Sequence, residues 1–228
     1  ANPIYDSVFK YLLDDNRVAK AFLSAIIEEE IIELSLTPTE IKKKVKRMDE
    51  GDDVLFTILR IDFSAKIRTS DGGHKLVLVE VQKIKLPTDI IRFRRYLGDN
   101  YSNDNNFYEE KNQRIAYPII CIYFLGYNLD FTEVPVIKVD RNYIDHTTKE
   151  IIKTQERFIE SLSHDLYVVQ IQQVRHYRRN DLEKLLSVFS QDNVTNTKHI
   201  LNVKESDVPE KYRFILRRLL EAASSQKV

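Results

Sequence analysis

The chain has 228 residues, 43% of them apolar, which is enough to bury a core and predicts one domain with an appendage rather than two domains. Thirty-five basic residues balance 35 acidic ones, which excludes a uniformly basic nucleic-acid coat, so a polyanion would have to be met by a local patch. The single cysteine, Cys121, excludes an intramolecular disulfide framework and a cysteine-cluster metal site; within "YPIICIYFL" it reads as a small buried hydrophobe.

The first residues, "ANPIYDSVFKYLLDD", predict no signal peptide. No run approaches the roughly 18 apolar residues of a membrane-spanning helix, so no membrane is expected and the cytoplasm is the expected location. Asn2-Pro3 predicts a helix start. Val8, Phe9, Leu12, Leu13 and then Ala19, Phe22, Leu23, Ile26, Ile27 recur at helical spacing, which predicts two helices, or one bent at Asp14-Asp15-Asn16. "LSLTPTE" breaks that pattern. "IKKKVKRMDEGDD" reads as a charged connector whose Lys42 to Lys44 form a solvated face or a phosphate contact.

"RIDFSAKIRTSDGGHKLVLVEVQ" (60–82) has the pattern of two strands around a glycine turn. After Pro87, Asp89 to Tyr101 is helical, with Ile90, Ile91, Phe93 and Leu97 beside Arg92, Arg94 and Arg95. "FYEEKN" predicts more helix. "AYPIICIYFLGY" predicts a strand buried on both faces, and "VPVIKVD" and "HDLYVVQIQQV" two more strands. Asn180 or Asp181 caps a helix through Phe189. Asp207 caps the last helix, with Pro209 in its first turn and Phe214, Ile215 and Leu219 on its apolar stripe. The fold class is α/β, with residues 1–175 as the core and 176–228 as a helical C-terminal extension packed on the same domain.

The hairpin carries the chemistry. Alternation puts Ile61, Phe63, Ala65 and Ile67 on one face of the first strand and Arg60, Asp62, Ser64 and Lys66 on the other. On the second strand Val77, Val79 and Val81 oppose Leu76, Leu78, Glu80 and Gln82. Asp62 and Glu80 share a face only if the hairpin loop has an odd number of residues. A three-residue loop at Asp71-Gly72-Gly73 pairs Asp62 with Gln82 and Ser64 with Glu80; a two-residue Gly72-Gly73 turn separates the acids. Two carboxylates on one face repel unless compensated. A hard divalent cation, Mg²⁺ or Mn²⁺, suits such oxygen donors. The plainer alternative is a solvated sheet face, or pairing with Lys66 and Arg60.

Asp on one strand followed by Glu-x-Gln at the end of the next resembles the PD-(D/E)XK nuclease superfamily. "NPIYDSVFKYLLDD", "RIDFSAKI", "VLVEVQ", "FRRYLGDNY", "YPIICIYFLGY" and "RRNDLEKLLSVF" together resemble its recombination-promoting nuclease and transposase-like branch. The resemblance implies a restriction-endonuclease-like αβββαβ core, a mixed sheet flanked by helices, and Mg²⁺-dependent (or Mn²⁺-dependent) DNA cleavage. It places Asp62, Glu80 and the Val81 carbonyl on the metal, Gln82 at the usual lysine position, and Asp6 and Lys10 in an N-terminal helix motif. Lysine there would orient a water and add charge; glutamine can only orient. Lys10 and Lys66 are the candidates to restore the charge, while Lys83 points away. Arg92 and Arg95, three apart on the helix after the hairpin, are candidates for backbone phosphates. "RHYRRN" (175–180) and Arg213, Arg217 and Arg218 are weaker ones. The five histidines show no ligand spacing, and His74 reads as turn surface. A homodimer would suit cleavage of both strands. The rival readings are a non-catalytic binding module of the same fold, an RNA nuclease and a structural protein.

Overall fold

Phe9 and Phe22 stand on helical stripes whose other members are all apolar. In the computed structural model both rings meet Phe124 and Phe189, with centroids 5.2–6.3 Å apart. The structure describes residues 6–37, 39–46, 54–60, 62–82, 87–190 and 203–224; for 6, 7, 40–46, 54–60, 87, 88, 223 and 224 it describes the backbone alone.

The bend foreseen at Asp14-Asp15-Asn16 separates two helices, α1 (Asp6–Leu13) and α2 (Asn16–Ile27). Asp15 caps α2 by accepting from the Val18 N–H, which a short acceptor at that position does well. The chain then forms β1 (Ile31–Leu36), β2 (Glu40–Lys46), β3 (Val54–Arg60), β4 (Phe63–Thr69), β5 (His74–Gln82), α3 (Pro87–Tyr101), β6 (Phe107–Glu110), β7 (Gln113–Ala116) and β8 (Ile119–Leu125). It continues through β9 (Val136–Val139), β10 (Tyr143–Ile144), β11 (Ile151–Ile152), α4 (Arg157–Ser161), β12 (His164–Gln170), α5 (Asp181–Leu186) and α6 (Arg213–Ser224).

Six strands form one mixed sheet in the order β1-β4-β5-β8-β12-β9. β1, β4 and β5 run antiparallel in turn; β8 is parallel to β5 and to β12; β9 closes the far edge antiparallel. One face packs on α1, α2, α5 and α6 through a single apolar cluster that includes Leu12, Leu23, Val77, Val79, Leu185 and Leu219. The other face carries Leu76, Leu78, Ile119 and Cys121 against Phe93, Tyr96 and Leu97 of α3. The protein is therefore α/β, a mixed six-stranded sheet with helices on both faces. Among the described residues no helix is long and apolar enough to cross a membrane.

Several expectations are corrected. The charged connector is an antiparallel ribbon, β2 with β3, and Lys42 to Lys44 lie on β2 with side chains outside the described part. "FYEEKN" is not a helix: β6 pairs with β7, and Lys111 and Asn112 turn the chain with φ of 50° and 62°. Positive φ at both turn residues suits a tight hairpin, and the two apolar residues of that stretch are too few to form a helical stripe. Asn180 caps α5 as foreseen, and a short 3₁₀ turn carries the chain on through Phe189. Asp207 instead ends a 3₁₀ turn, and α6 begins later, at Arg213. Ile215 and Leu219 are buried on α6; Phe214 is half-buried beneath the Arg17 guanidinium, 4.5 Å from the ring centre. Cys121 is buried, and burial pushes its thiol pKa far up, as a structural cysteine requires.

Candidate functional site

The turn between β4 and β5 sets the register. Thr69 N–H bonds the Gly73 carbonyl, and Gly72 N–H bonds the Thr69 carbonyl, both at 2.9 Å, so the loop is Ser70-Asp71-Gly72. Asp71 Oδ1 holds it from inside, accepting from Thr69 Oγ1 at 2.5 Å and from Gly73 N–H at 3.1 Å. Gly72 has φ +90°, a conformation that favours glycine. The loop thus begins one residue earlier than the foreseen Asp71-Gly72-Gly73. Phe63 pairs with Val79 and Ser64 with Leu78, not with Glu80. The register moves by two positions, which preserves the parity of the hairpin. Phe63–Val79 is the ladder's first pair at this end, and Asp62 lies in the bend just before it.

Asp62 sits in the bend just before β4. Its Oδ2 accepts a hydrogen bond from the Val81 N–H at 2.6 Å, which ties the carboxylate to the end of β5. Glu80 lies on the same face as Leu76 and Leu78. That face is not solvated as the plainer alternative supposes: α3 covers it, and the Glu80 side chain is 4% exposed. A buried carboxylate needs a positive partner. Arg92 Nη2 of α3 supplies one, donating to Glu80 Oε1, while the Arg60 side chain lies outside the described part. Burial works against the Arg92 charge, but the carboxylates of Glu80, Asp89 and Asp62 outweigh it and hold its pKa above the usual arginine value.

Gln82 is buried at the end of β5. Its Nε2 donates to Asp89 Oδ2 and its Oε1 accepts from the Tyr127 hydroxyl, both at 3.3 Å. Asp89 belongs to the site although its place in the sequence suggested only a helix start; its position three before Arg92, on the same side of α3, was the available signal. Tyr123 of β8 pairs with Glu80 across the sheet and packs on the Phe93 ring at 4.4 Å. Its hydroxyl is buried and has no hydrogen-bond partner among the described residues. Burial, then the nearby Cys121 and Glu80, raises the Tyr123 pKa well above the ordinary phenol value.

Lys10 projects from α1 next to the buried Phe9. It lines a cavity of about 180 Å³ with Asp14, Thr37, Thr39, Asp62 and Ser64, so the helix and the hairpin acid face one space. Asp6 begins α1, but its side chain lies outside the described part. Lys66 is drawn elsewhere: Nζ donates to the Asn105 carbonyl and lies 5.2 Å over the Tyr117 ring. Arg95 is exposed one turn beyond Arg92. Three of the weaker basic candidates have partners within the chain. Arg218 donates to the Tyr11 carbonyl, Arg217 pairs with Glu205, and Arg179 with Glu183. His74 is half-buried and stacks on Tyr108 at 4.4 Å. Lys83 and Ile61 lie outside the described residues.

The site therefore joins Asp62, Glu80, Gln82, Asp89, Arg92, Tyr123 and Tyr127 at one end of β5, with Lys10 on the Asp62 side. Among the described residues no group of three or more His, Cys, Asp or Glu side chains is arranged to hold a metal ion. The donors at hand are carboxylate and carbonyl oxygens, the set that suits hard cations. Glu80 already bonds one cation, a guanidinium. Asp62 and Glu80 are thus two carboxylates of the type a hard divalent ion takes, one of them bonded to Arg92. Compared with known proteins, the chain matches no family model, no curated protein and no solved structure.

Proposed function

We propose that this protein is a metal-dependent nuclease that hydrolyses DNA phosphodiester bonds, with a restriction-endonuclease-like core. The observation that carries the reading is that Asp62 and Glu80 are both held at the same end of β5. One is pinned to the Val81 amide, and the other is buried at the end of the adjacent strand. The succession α2, β1, β4, β5, α3, β8, with β5 and β8 parallel, supports the αβββαβ core; the ribbon of β2 and β3 is an insertion within it.

Asp62, Glu80 and the Val81 carbonyl would hold Mg²⁺ or Mn²⁺. When bound, such an ion supplies neutralising charge and an acidified water at neutral pH. The chain's own residues do the rest. Gln82 is held at both ends of its amide, which fixes its direction; its remaining N–H and lone pair are free to orient a water but bring no charge. Lys10 supplies positive charge from across the cavity it shares with Asp62. Arg92 and Arg95 lie one turn apart on α3, where they would receive backbone phosphates. Two copies would be needed to cut both strands at once.

A second reading has its own observation. Arg92 occupies Glu80 and glutamine stands in the lysine position, the arrangement expected of a nucleic-acid-binding module without turnover. Incubation of supercoiled plasmid with Mg²⁺, Mn²⁺ or EDTA separates the two. Nicking by the wild type that EDTA and Glu80→Gln abolish is the nuclease outcome. Binding without cutting under every metal is the binding-module outcome. Single-stranded RNA run alongside tests the choice of nucleic acid.

A further inference from the structure

The ion pair at Glu80 is lopsided. The glutamate side chain is 4% exposed and the arginine side chain 46%. The carboxylate is therefore fixed in the interior, while the guanidinium stands at the mouth with a path to water. α3 presents its neighbours Ile91, Arg94 and Arg95 to solvent, so the backbone there does not oppose an outward swing of the Arg92 side chain. Three carboxylates, Glu80, Asp89 and Asp62, all act on that one guanidinium. Beside them the Tyr123 hydroxyl is buried with no hydrogen-bond partner among the described residues, at the position paired with Glu80. Arg92 satisfies the charge of this corner but not that hydroxyl. A hydrated cation would serve both, because it carries charge and water together.

We infer that Arg92 is a built-in stand-in for the divalent ion: the ion displaces it from Glu80, and the released guanidinium joins Arg95 as a phosphate contact. The inference rests on the nuclease reading above. Two cations cannot share the one buried carboxylate at hydrogen-bond range without strong repulsion, and only the arginine has somewhere to go. The empty-handed protein then keeps its acids neutralised, and its phosphate clamp is completed by the ion itself. Arg92 thereby competes with the metal, so removing it strengthens ion binding while weakening the hold on DNA. A residue that only binds phosphate would have no effect on the ion.

The test is Mn²⁺ binding by full-length wild type, Arg92→Met, Arg95→Met and Glu80→Gln, read by titration calorimetry and by loss of the free-ion EPR signal. Affinity scales with the fraction of protein in the binding-competent state, so Arg92→Met is expected to bind about tenfold more tightly than wild type. Arg95→Met is expected to match wild type, and Glu80→Gln to lose binding. In Ca²⁺, anisotropy of a labelled duplex should show weaker DNA binding by Arg92→Met than by wild type, and no difference between them in EDTA. Arg92→Gln, closer in polarity, repeats the measurement should the methionine variant fold poorly without metal. Equal or weaker Mn²⁺ binding by both arginine variants, with wild type binding well, overturns the displacement and leaves the nuclease reading standing. No Mn²⁺ binding by any of the four proteins overturns both.

Discussion

Asp62 Oδ2 accepts a hydrogen bond from the Val81 backbone amide at 2.6 Å, joining residues 19 apart across the open end of a hairpin. The bond has a structural role as well as a chemical one. It supplies the acceptor for the Val81 N–H. Asp62→Ala leaves that donor without its partner, at a cost of about 1–3 kcal/mol. Asp62→Asn keeps an oxygen acceptor and is expected to lose less than half as much. Urea unfolding of both variants measures the difference, and equal losses would mean that the charge, not the acceptor, matters for folding.

Arg92→Met leaves the Glu80 carboxylate buried without its guanidinium. The penalty is expected to be on the order of 1–3 kcal/mol, below that of a fully buried pair because the arginine is half in water. Glu80→Leu combined with Arg92→Met removes both charges and should recover most of it. A double-mutant cycle by thermal unfolding reads the coupling; additive losses would show that the two side chains stabilise the fold independently.

Tyr123 gives the opposite sign. Its hydroxyl is buried and unpartnered among the described residues, so Tyr123→Phe removes a polar atom that brings no hydrogen bond there. Thermal stability is expected to hold or to rise by up to about 1 kcal/mol. Plasmid cleavage is expected to fall if that hydroxyl serves a water in the site. A clear loss of stability would contradict the structure at this position.

His164 gives a pH dependence. Burial, with the Arg141 charge beside it, holds its pKa below the ordinary 6.5, and Nδ1 lies 3.0 Å from the Tyr101 hydroxyl. The folded protein therefore binds this proton less readily than the unfolded chain. The contribution to stability is full above pH 6.5 and is lost as pH falls from there toward the lower folded value. Urea midpoints at about pH 7.5 and 5.5 should differ more for the wild type than for His164→Gln. Equal differences would move the dependence to another group.

Where packing decides structure, the sequence was readable. Val8, Phe9, Leu12, Leu13, Phe22 and Leu23 announce their stripes by spacing, and all are buried. The unbroken apolar run of β8 announces a strand covered on both faces. The parity of the hairpin was also readable, because it needs only an odd loop. The register itself was not. Two adjacent glycines permit a loop at 70–72 or at 71–73, and the choice is made by the side chain of Asp71 bonding Thr69 and Gly73. β2 escaped notice because a run of lysines shows no apolar alternation. Arg92 on Glu80 escaped notice because helical spacing places an arginine on a side of its helix but not against a particular strand. Asp89 and Tyr123 escaped notice for the same reason: their roles come from the docking of α3 and β8 on β5.

The parallel pairing of β5 with β8 has a consequence during synthesis. The two acids leave the ribosome close together, but Tyr127, which holds Gln82, follows 45 residues later. At ordinary elongation rates that is a delay of roughly 2 to 9 seconds. Through that interval β5 is a sheet edge, with Leu76, Val77, Leu78 and Val79 and its main-chain groups unpaired on the β8 side. The nascent chain holds its acids before it holds their surroundings, and that half-built edge is where a chaperone would be expected to bind.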